Sequence, residues 1–196
     1  LMDILNVIAS EISNATGQQF SISSDRRQGG GSINQAIKIS GNGLDYFVKL
    51  NRPQLEPMFI AESAGLQELG QSGSLGVPKV ICSGANEEYA WLVLEYIQLG
   101  HGTKQQYAAA GRALADLHGN VHAQFGWHRQ NTIGSTPQIN DFNDSWEAFW
   151  VAHRFGFQIE LARQNGYSGA VIDNVEKLMA DCGHFFSHAP RASLLH

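Results

Sequence analysis

Residues 29–51, GGGSINQAIKISGNGLDYFVKLN, decide the fold. Three glycines are followed by a lysine, Lys49, eighteen positions after Gly31. Glycines ahead of a lysine suit several phosphate cradles, and the residues between them separate the cases. A Walker loop places Gly-Lys-Ser/Thr directly after its glycines and opens a helix. A Rossmann turn also opens a helix. Here Ser32, Ile33 and Asn34 follow, SINQAIKIS alternates apolar and polar residues, GNG is a hairpin signal, and LDYFVKLN is again strand-like. The arrangement left is a glycine-rich turn between antiparallel strands with its lysine on the next strand, as in kinases. A plain hairpin with an exposed strand lysine is the other way to read the same residues.

Outward from this stretch, MDILNVIASEISNA (2–15) places Ile4, Leu5, Ile8 and Ile12 on one helical face, and Gly17 suits its end. QFSISSDRRQ runs into the glycines as a strand. Pro57 begins a helix through Leu69, and VPKVICSG and YAWLVLEYI are two more strands. Residues 18–97 are therefore expected to form a twisted antiparallel sheet with one helix inserted after its third strand. In that helix Met58, Glu62, Leu66 and Leu69 share a face, while Glu68 lies off it. A carboxylate on an apolar stripe is costly to bury unless paired, and Lys49 is the natural partner. Glu62 at a wet edge of the stripe is the competing reading. Backbone groups of Glu95, Tyr96 and Ile97, where the last strand leaves the sheet, are placed to meet an adenine edge, with Val48 and Val93 as apolar walls. Without the loop and the ion pair, the same stretch is simply a core strand.

From about Thr103 the pattern turns helical. TKQQYAAAGRALADLHG is one helix, closed by Gly119. HAQFGWHRQNTIGSTPQINDFND is a long irregular segment, and such segments are often functional. SWEAFWVAHRFGFQIELARQNG is a second helix, with Ser145 as N-cap and Gly166 as C-cap, and SGAVIDNVEKLMADC is a third. The boundary falls near Gln98–Thr103, giving domains 1–98 and 99–196. The fold class is α+β: an antiparallel-sheet lobe with one inserted helix, then a helical lobe.

Composition narrows the function classes. The chain has 196 residues, 43% hydrophobic and 16% charged, with a net charge of -5. That acidity gives no reason to expect nucleic acid or an anionic membrane as partner. Two cysteines in no motif argue against a disulfide scaffold, and a cytoplasmic setting is expected. The pairs His118/His122 and His184/His188 have metal-like spacing, but no further ligands converge on them, so no metal residue is named. Asp141 and Asp144 precede a helix, where capping is their expected job. In HRQN, Gln130 stands where a kinase catalytic loop has Asp.

The segments GGGSINQA, FVKLN, MFIAESAGLQEL, VPKVICSG, LVLEYI, GRALADLHG, FGWHRQNTIGSTPQIN, WEAFWVAHRFGFQ and SLLH, in this order, resemble the fructosamine (ketosamine-3-) kinases. These are small-molecule kinases of protein-kinase-like fold related to aminoglycoside phosphotransferases. The resemblance implies ATP- and Mg2+-dependent phosphorylation of the 3-hydroxyl of a ketosamine on a small amine or protein lysine, in deglycation. It implies a phosphate loop of Gly29, Gly30, Gly31 and Ser32, an ion pair of Lys49 and Glu62, and a hinge at Glu95, Tyr96 and Ile97. Trp127, Trp146, Arg154 and Gln158 belong to the family pattern and are the substrate candidates. Trp146, Phe149, Trp150 and Phe157 also fall at core spacing, and Arg154 also suits bracing of the TPQ loop. In the family, a Gly-Asp-Leu-Trp-x-Gly-Asn segment with the catalytic Asp follows the motif that ends here at His196. No catalytic residue is therefore named in this chain, which by itself is expected to be inactive, to expose apolar surface and to self-associate. The alternatives are an aminoglycoside- or choline-type phosphotransferase, and a nucleotide-binding module without catalysis.

Overall fold

The structure is a computed structural model that describes residues 2–29, 33–186 and 188–195. The chain divides into two compact units, Leu1–Leu117 and His118–His196. The helix after the hinge thus belongs almost wholly to the first unit, and the compact division falls later in the chain than Gln98–Thr103.

The first unit opens with α1 (Met2–Thr16), whose Ile4, Leu5, Ile8 and Ile12 are buried along one face. It ends at Gly17, where φ is 70° and the backbone N–H donates to the Ser13 carbonyl at 2.9 Å. Five antiparallel strands follow: β1 (Ser24–Gln28), β2 (Gln35–Gly41), β3 (Leu44–Asn51), β4 (Val80–Ala85) and β5 (Ala90–Glu95), in the order β1-β2-β3-β5-β4. Asn42 and Gly43 turn β2 into β3 with φ of 52° and 75°, a two-residue turn that needs left-handed backbone twice. Between β3 and β4 stands α2 (Glu56–Gln71), with Pro57 in its first turn. The sheet carries apolar residues on both faces. Ile37, Ile39, Tyr46, Val48, Leu50, Trp91 and Val93 pack with α1, while Leu92, Leu94 and Phe59 form a second cluster with Phe47, Met58 and Leu66. Burying each such side chain stabilises by roughly 1.5–3 kcal/mol. Helix α3 (Lys104–His118) closes the unit.

The second unit begins with the segment read as irregular. It contains a short hairpin, β6 (Asn131–Ile133) and β7 (Thr136–Gln138), turning at Gly134 with φ of 65°. Three-residue strands offer too little alternation to announce themselves. Next comes α4 (Trp146–Trp150), capped by Ser145, whose hydroxyl accepts from the Ala148 N–H at 3.2 Å. The following helix is not a uniform α-helix. Residues Val151–Gly156 widen into a π-turn before α5 (Phe157–Gln164) resumes. Gly156 fits that turn because a Cβ there would stand 2.8 Å from the Val151 carbonyl oxygen. Helix α6 (Ala170–Ala180) follows. Among the described residues no helix is long and apolar enough to cross a membrane.

Candidate functional site

In the first unit β3 supplies the lysine and α2 the carboxylate. Lys49 Nζ lies 2.5 Å from Glu62 Oε1, and the two side chains are 26% and 29% exposed. The pair is enclosed enough to be oriented and open enough to be reached. Met58 and Leu66, on the same helical face as Glu62, pack against the α2-side cluster, so burial of the stripe aims the carboxylate at the sheet. Gly30, Gly31 and Ser32 lie outside the described residues. Gly29, just after β1, is exposed, and a Cβ there would meet nothing within 4 Å.

Strand alternation corrects one expectation. Val48 and Val93 are fully buried in the α1-side cluster, whereas Lys49 meets α2. Successive residues of a strand point to opposite faces. The valines therefore cannot wall a ligand held by Lys49. Phe47, two residues before Lys49 and packed on the α2-side cluster, shares the lysine's face. The period-two rule applied to FVKLN was the signal that could have found it.

At the end of β5, the Glu95 N–H donates to the Lys79 carbonyl at 2.8 Å, and Glu95 Oε2 accepts from the Lys79 N–H at 3.2 Å. Of the three hinge residues, Glu95 thus has its N–H committed to the sheet. Tyr96 leaves the strand with its ring under Lys38 Nζ, 4.2 Å from the centroid, and Ile97 is exposed. Lys38 also pairs with Asp45 at 2.7 Å. Its hydrogen bond, then that of Ser40, holds the Asp45 carboxyl below the usual carboxylate range. Glu95 and Tyr96 line a cleft of about 450 Å³ with Asp45, Tyr46, Lys79 and Ile81.

In the second unit the substrate candidates separate. Arg154 and Gln158 line a cleft of about 260 Å³ between the β6–β7 hairpin and the π-turn, together with Pro137, Gln138, Trp150 and His153. Trp127 and Trp146 do not line it. Trp146 sits among aromatics, its ring centroid 5.1 Å from Phe125, 5.7 Å from Trp150 and 5.8 Å from Phe149. Trp127 donates its backbone N–H to the Asn140 carbonyl at 2.8 Å.

Arg154 braces the hairpin. Its guanidinium donates to the Ile139 carbonyl at 2.5 Å and to Asn140 Oδ1 at 2.9 Å, and it lies 4.6 Å from the Phe149 ring centroid. Burial pushes its pKa below the ordinary guanidinium value. Asn140, 4% exposed, is the centre of this network. Its amide donates to the Arg129 carbonyl at 3.0 Å and to Asn131 Oδ1 at 2.8 Å, and its N–H donates to Gln130 Oε1 at 2.5 Å. Gly126, with φ of 125°, lets the chain pass, since a Cβ there would stand 2.6 Å from the Asn140 carbonyl oxygen. Gln130 therefore clamps a loop, and its amide also donates to Asp141 Oδ1 at 2.6 Å. Asp141 and Asp144 are not helix caps. They accept from Gln130 and Gln124, and Ser145 takes the capping position. Asn140, Gln138 and His153 were not singled out from sequence, because nothing in spacing alone reveals a polar core.

Known proteins share both the sequence and the fold. A family model described as Fructosamine kinase matches residues 4–196. A probable ketoamine kinase of Synechocystis sp. is 40% identical over 179 residues, which is 89% of this chain and 61% of that protein. A chloroplastic protein-ribulosamine 3-kinase of Oryza sativa subsp. japonica is 34% identical over 164 residues, 82% of this chain and 48% of the relative. The chain thus spans about half to three fifths of these relatives' lengths. A crystal structure from Haemophilus somnus, provisionally named a fructosamine-3-kinase, superposes with a TM-score of 0.84 at 24% identity over 95% of this chain and 63% of that one. The aminoglycoside phosphotransferase APH(4)-Ia superposes at 0.53 with 16% identity, over 94% and 62%. At these identities the two structures establish a kinase-like α+β fold.

Proposed function

The chain belongs to the fructosamine kinase family, and on that premise we propose that its first unit binds ATP for phosphoryl transfer to the 3-hydroxyl of a ketosamine. The observation that carries this reading is the pair formed by Lys49, on β3, and Glu62, on α2. Lys49 holds phosphate oxygens, and Glu62 fixes the lysine head in place. Gly29, Gly30, Gly31 and Ser32 are the phosphate loop of this reading. Glu95, Tyr96 and Ile97 are its hinge, where the backbone past Glu95 meets the adenine. Phe47 replaces the two valines as the apolar contact on the lysine's face.

In the reaction the γ-phosphoryl group leaves ADP oxygen for the substrate oxygen, and the hydroxyl proton goes to a base. The 3-hydroxyl is supported by the ribulosamine 3-kinase name of one relative. Release of the amine from the phosphorylated adduct would make the whole protein a deglycation enzyme, in the cytoplasm of its cell. Magnesium belongs to this reading as the ion that neutralises phosphate charge. Among the described residues no group of three or more His, Cys, Asp or Glu is placed to hold a metal ion. These residues do not fit a metal site by themselves, and no step is derived through one.

The test is equilibrium titration with ATP. Wild type should bind, and Lys49→Ala should weaken binding by roughly tenfold or more, as loss of a charge-assisted contact implies. Unchanged affinity in Lys49→Ala would sink the assignment of the loop and strand. Transfer is then assayed in a chain of the relatives' length, with fructosyl-lysine, ribulosyl-lysine, an aminoglycoside and choline as acceptors. Turnover of the last two but not the first two would replace the ketosamine reading.

A further inference from the structure

Strand β3 ends in a polar contact separate from its ion pair. Burial along β3 alternates: Tyr46, Val48 and Leu50 are buried on the α1 side, so Phe47, Lys49 and Asn51 share the opposite face. Lys49 and Asn51 are therefore about 7 Å apart along that face, a span that consecutive phosphates of one chain bridge. The Asn51 amide is fixed in one orientation. Its Oδ1 accepts from the Arg52 N–H at 2.8 Å, and a backbone N–H only donates. Its Nδ2 donates to the Ile33 carbonyl at 3.0 Å, and a carbonyl only accepts. The same Nδ2 meets the Asn34 side chain at 2.6 Å, so the atom that Asn34 presents there is its acceptor, Oδ1. The other end of the Asn34 amide, with its two N–H donors, is thereby turned away from Asn51. Asn51 thus decides which end of Asn34 is offered to a ligand.

We propose that Asn34 is a further phosphate-binding residue of the first unit, donating its amide N–H to a phosphate oxygen of the nucleotide, with Asn51 as the positioning residue that aims it. The nucleotide rests on the kinase reading, while the aimed donor rests on the geometry alone. A pair of N–H donors calls for oxygens with lone pairs, and an anionic oxygen makes the shorter and stronger bond. The surrounding charge agrees. Between Asp25 and Asp45 the sequence has no carboxylate, and it carries Arg26, Arg27 and Lys38. Lys49 stands on the face of Asn51, and the Glu62 carboxylate is engaged by Lys49. Asn34 and Asn51 are both half-buried, enclosed enough to be held and open enough to be reached. The two kinds of donor do different work. Lys49 supplies a charge on a flexible stem, which attracts phosphate without fixing its direction. An amide clamped at one end supplies that direction.

The test is calorimetry of the purified chain with ATP, and saturation-transfer NMR with adenosine, which has no phosphate. Asn34→Asp keeps the acceptor for Asn51 and replaces the two N–H donors by an anionic oxygen. ATP affinity should fall roughly tenfold or more in that variant. Asn34→Ala should weaken ATP binding roughly three- to tenfold, and Asn51→Ala should act in the same direction. The double variant Asn34→Ala/Asn51→Ala should bind no worse than Asn34→Ala alone, because Asn51 acts through Asn34. Adenosine binding and melting temperature should hold throughout. Asn34→Ala, which adds no charge, carries the test if the aspartate lowers the melting temperature. A clamp that only holds the fold would accept Asn34→Asp, so wild-type ATP affinity in that variant overturns the proposal. So does an equal loss of adenosine and ATP binding. Additive losses in the double variant overturn the aiming by Asn51. Weakening by Lys49→Ala with no effect at Asn34 sinks this proposal and leaves the kinase reading standing, whereas no ATP binding by wild type sinks both.

Discussion

The unit Leu1–Leu117 buries Ile8, Ile12, Ile37, Ile39, Val48 and Val93 essentially completely, whereas His118–His196 has an amide, Asn140, among its most buried residues. In the second unit the buried apolar residues among those described are Phe149, Ile159, Ile172, Cys182 and Ala192. The first unit is held by apolar surface on both faces of one sheet, a non-directional force that tolerates small shifts. The second relies on hydrogen bonds that converge on one side chain, and those fail when a partner is removed. Each unit should answer to a different kind of damage.

The largest expected effect is on the first unit. Ile37→Ala deletes a fully buried branched side chain between sheet and α1, and should lower stability by about 2–5 kcal/mol in chemical denaturation. Hydrogen exchange should show the loss in β2 and β3 and leave the hairpin 131–138 as before. Equal loss in both units would dissolve the comparison. Asn140→Leu applies the opposite damage. It nearly conserves volume but strands Arg154, the Arg129 carbonyl and Asn131, at about 1–3 kcal/mol for each buried group left unpaired. Exchange should accelerate in the hairpin while β2 and β3 stay protected. Wild-type protection of the hairpin in Asn140→Leu would show that packing, not the amide, holds the second unit.

The same contrast explains what the sequence disclosed. The first unit follows two periodicities. Ile4, Leu5, Ile8 and Ile12 recur at helical spacing, SINQAIKIS and LDYFVKLN alternate, and the turn between them is the Asn-Gly pair that a tight hairpin needs. The pairing of Lys49 with Glu62 was readable because a carboxylate broke an apolar stripe. The misplacement of Val48 and Val93 came from ignoring the alternation that identified the strand. In the second unit Ser145 was legible as a cap, but the π-turn was not, since Val151–Gly156 differs from an α-helix in hydrogen bonding and not in residue pattern. Nor was Asn140 legible, because its partners at 129, 130, 131 and 154 follow no period. The motif FGWHRQNTIGSTPQIN identified a family without disclosing that its last residue is a structural hub.

A smaller effect should confine itself to the first unit at high pH. Burial pushes the Cys82 thiol from an ordinary 9.0 up to about 11. The folded chain therefore keeps its proton where the unfolded chain has lost it. Stability from this group is complete below about pH 9 and declines as pH rises towards 11. Tyr46, also raised by burial, acts in the same direction above about pH 10. Cys82→Ala should flatten the decline between those values, as measured by melting temperature against pH. An unchanged slope in the variant would assign the decline elsewhere.

The smallest stability effect is expected at the Lys49–Glu62 pair. Two charges each about a quarter exposed are partly screened by water, and such pairs contribute on the order of 1 kcal/mol or less. Glu62→Gln keeps the shape and a hydrogen-bond acceptor, so denaturation should move by less than about 1 kcal/mol. ATP affinity should nonetheless fall roughly tenfold, because the lysine loses the charge that fixes its position. Neither of the two forces that separate the units explains such a residue. It adds little to the core and belongs to no hydrogen-bond hub, so its worth should appear only when a phosphate is present. A Glu62→Gln variant that melts several degrees lower yet binds ATP as wild type would make the pair a structural one after all, and would place the first unit's polar contacts in the same class as those around Asn140.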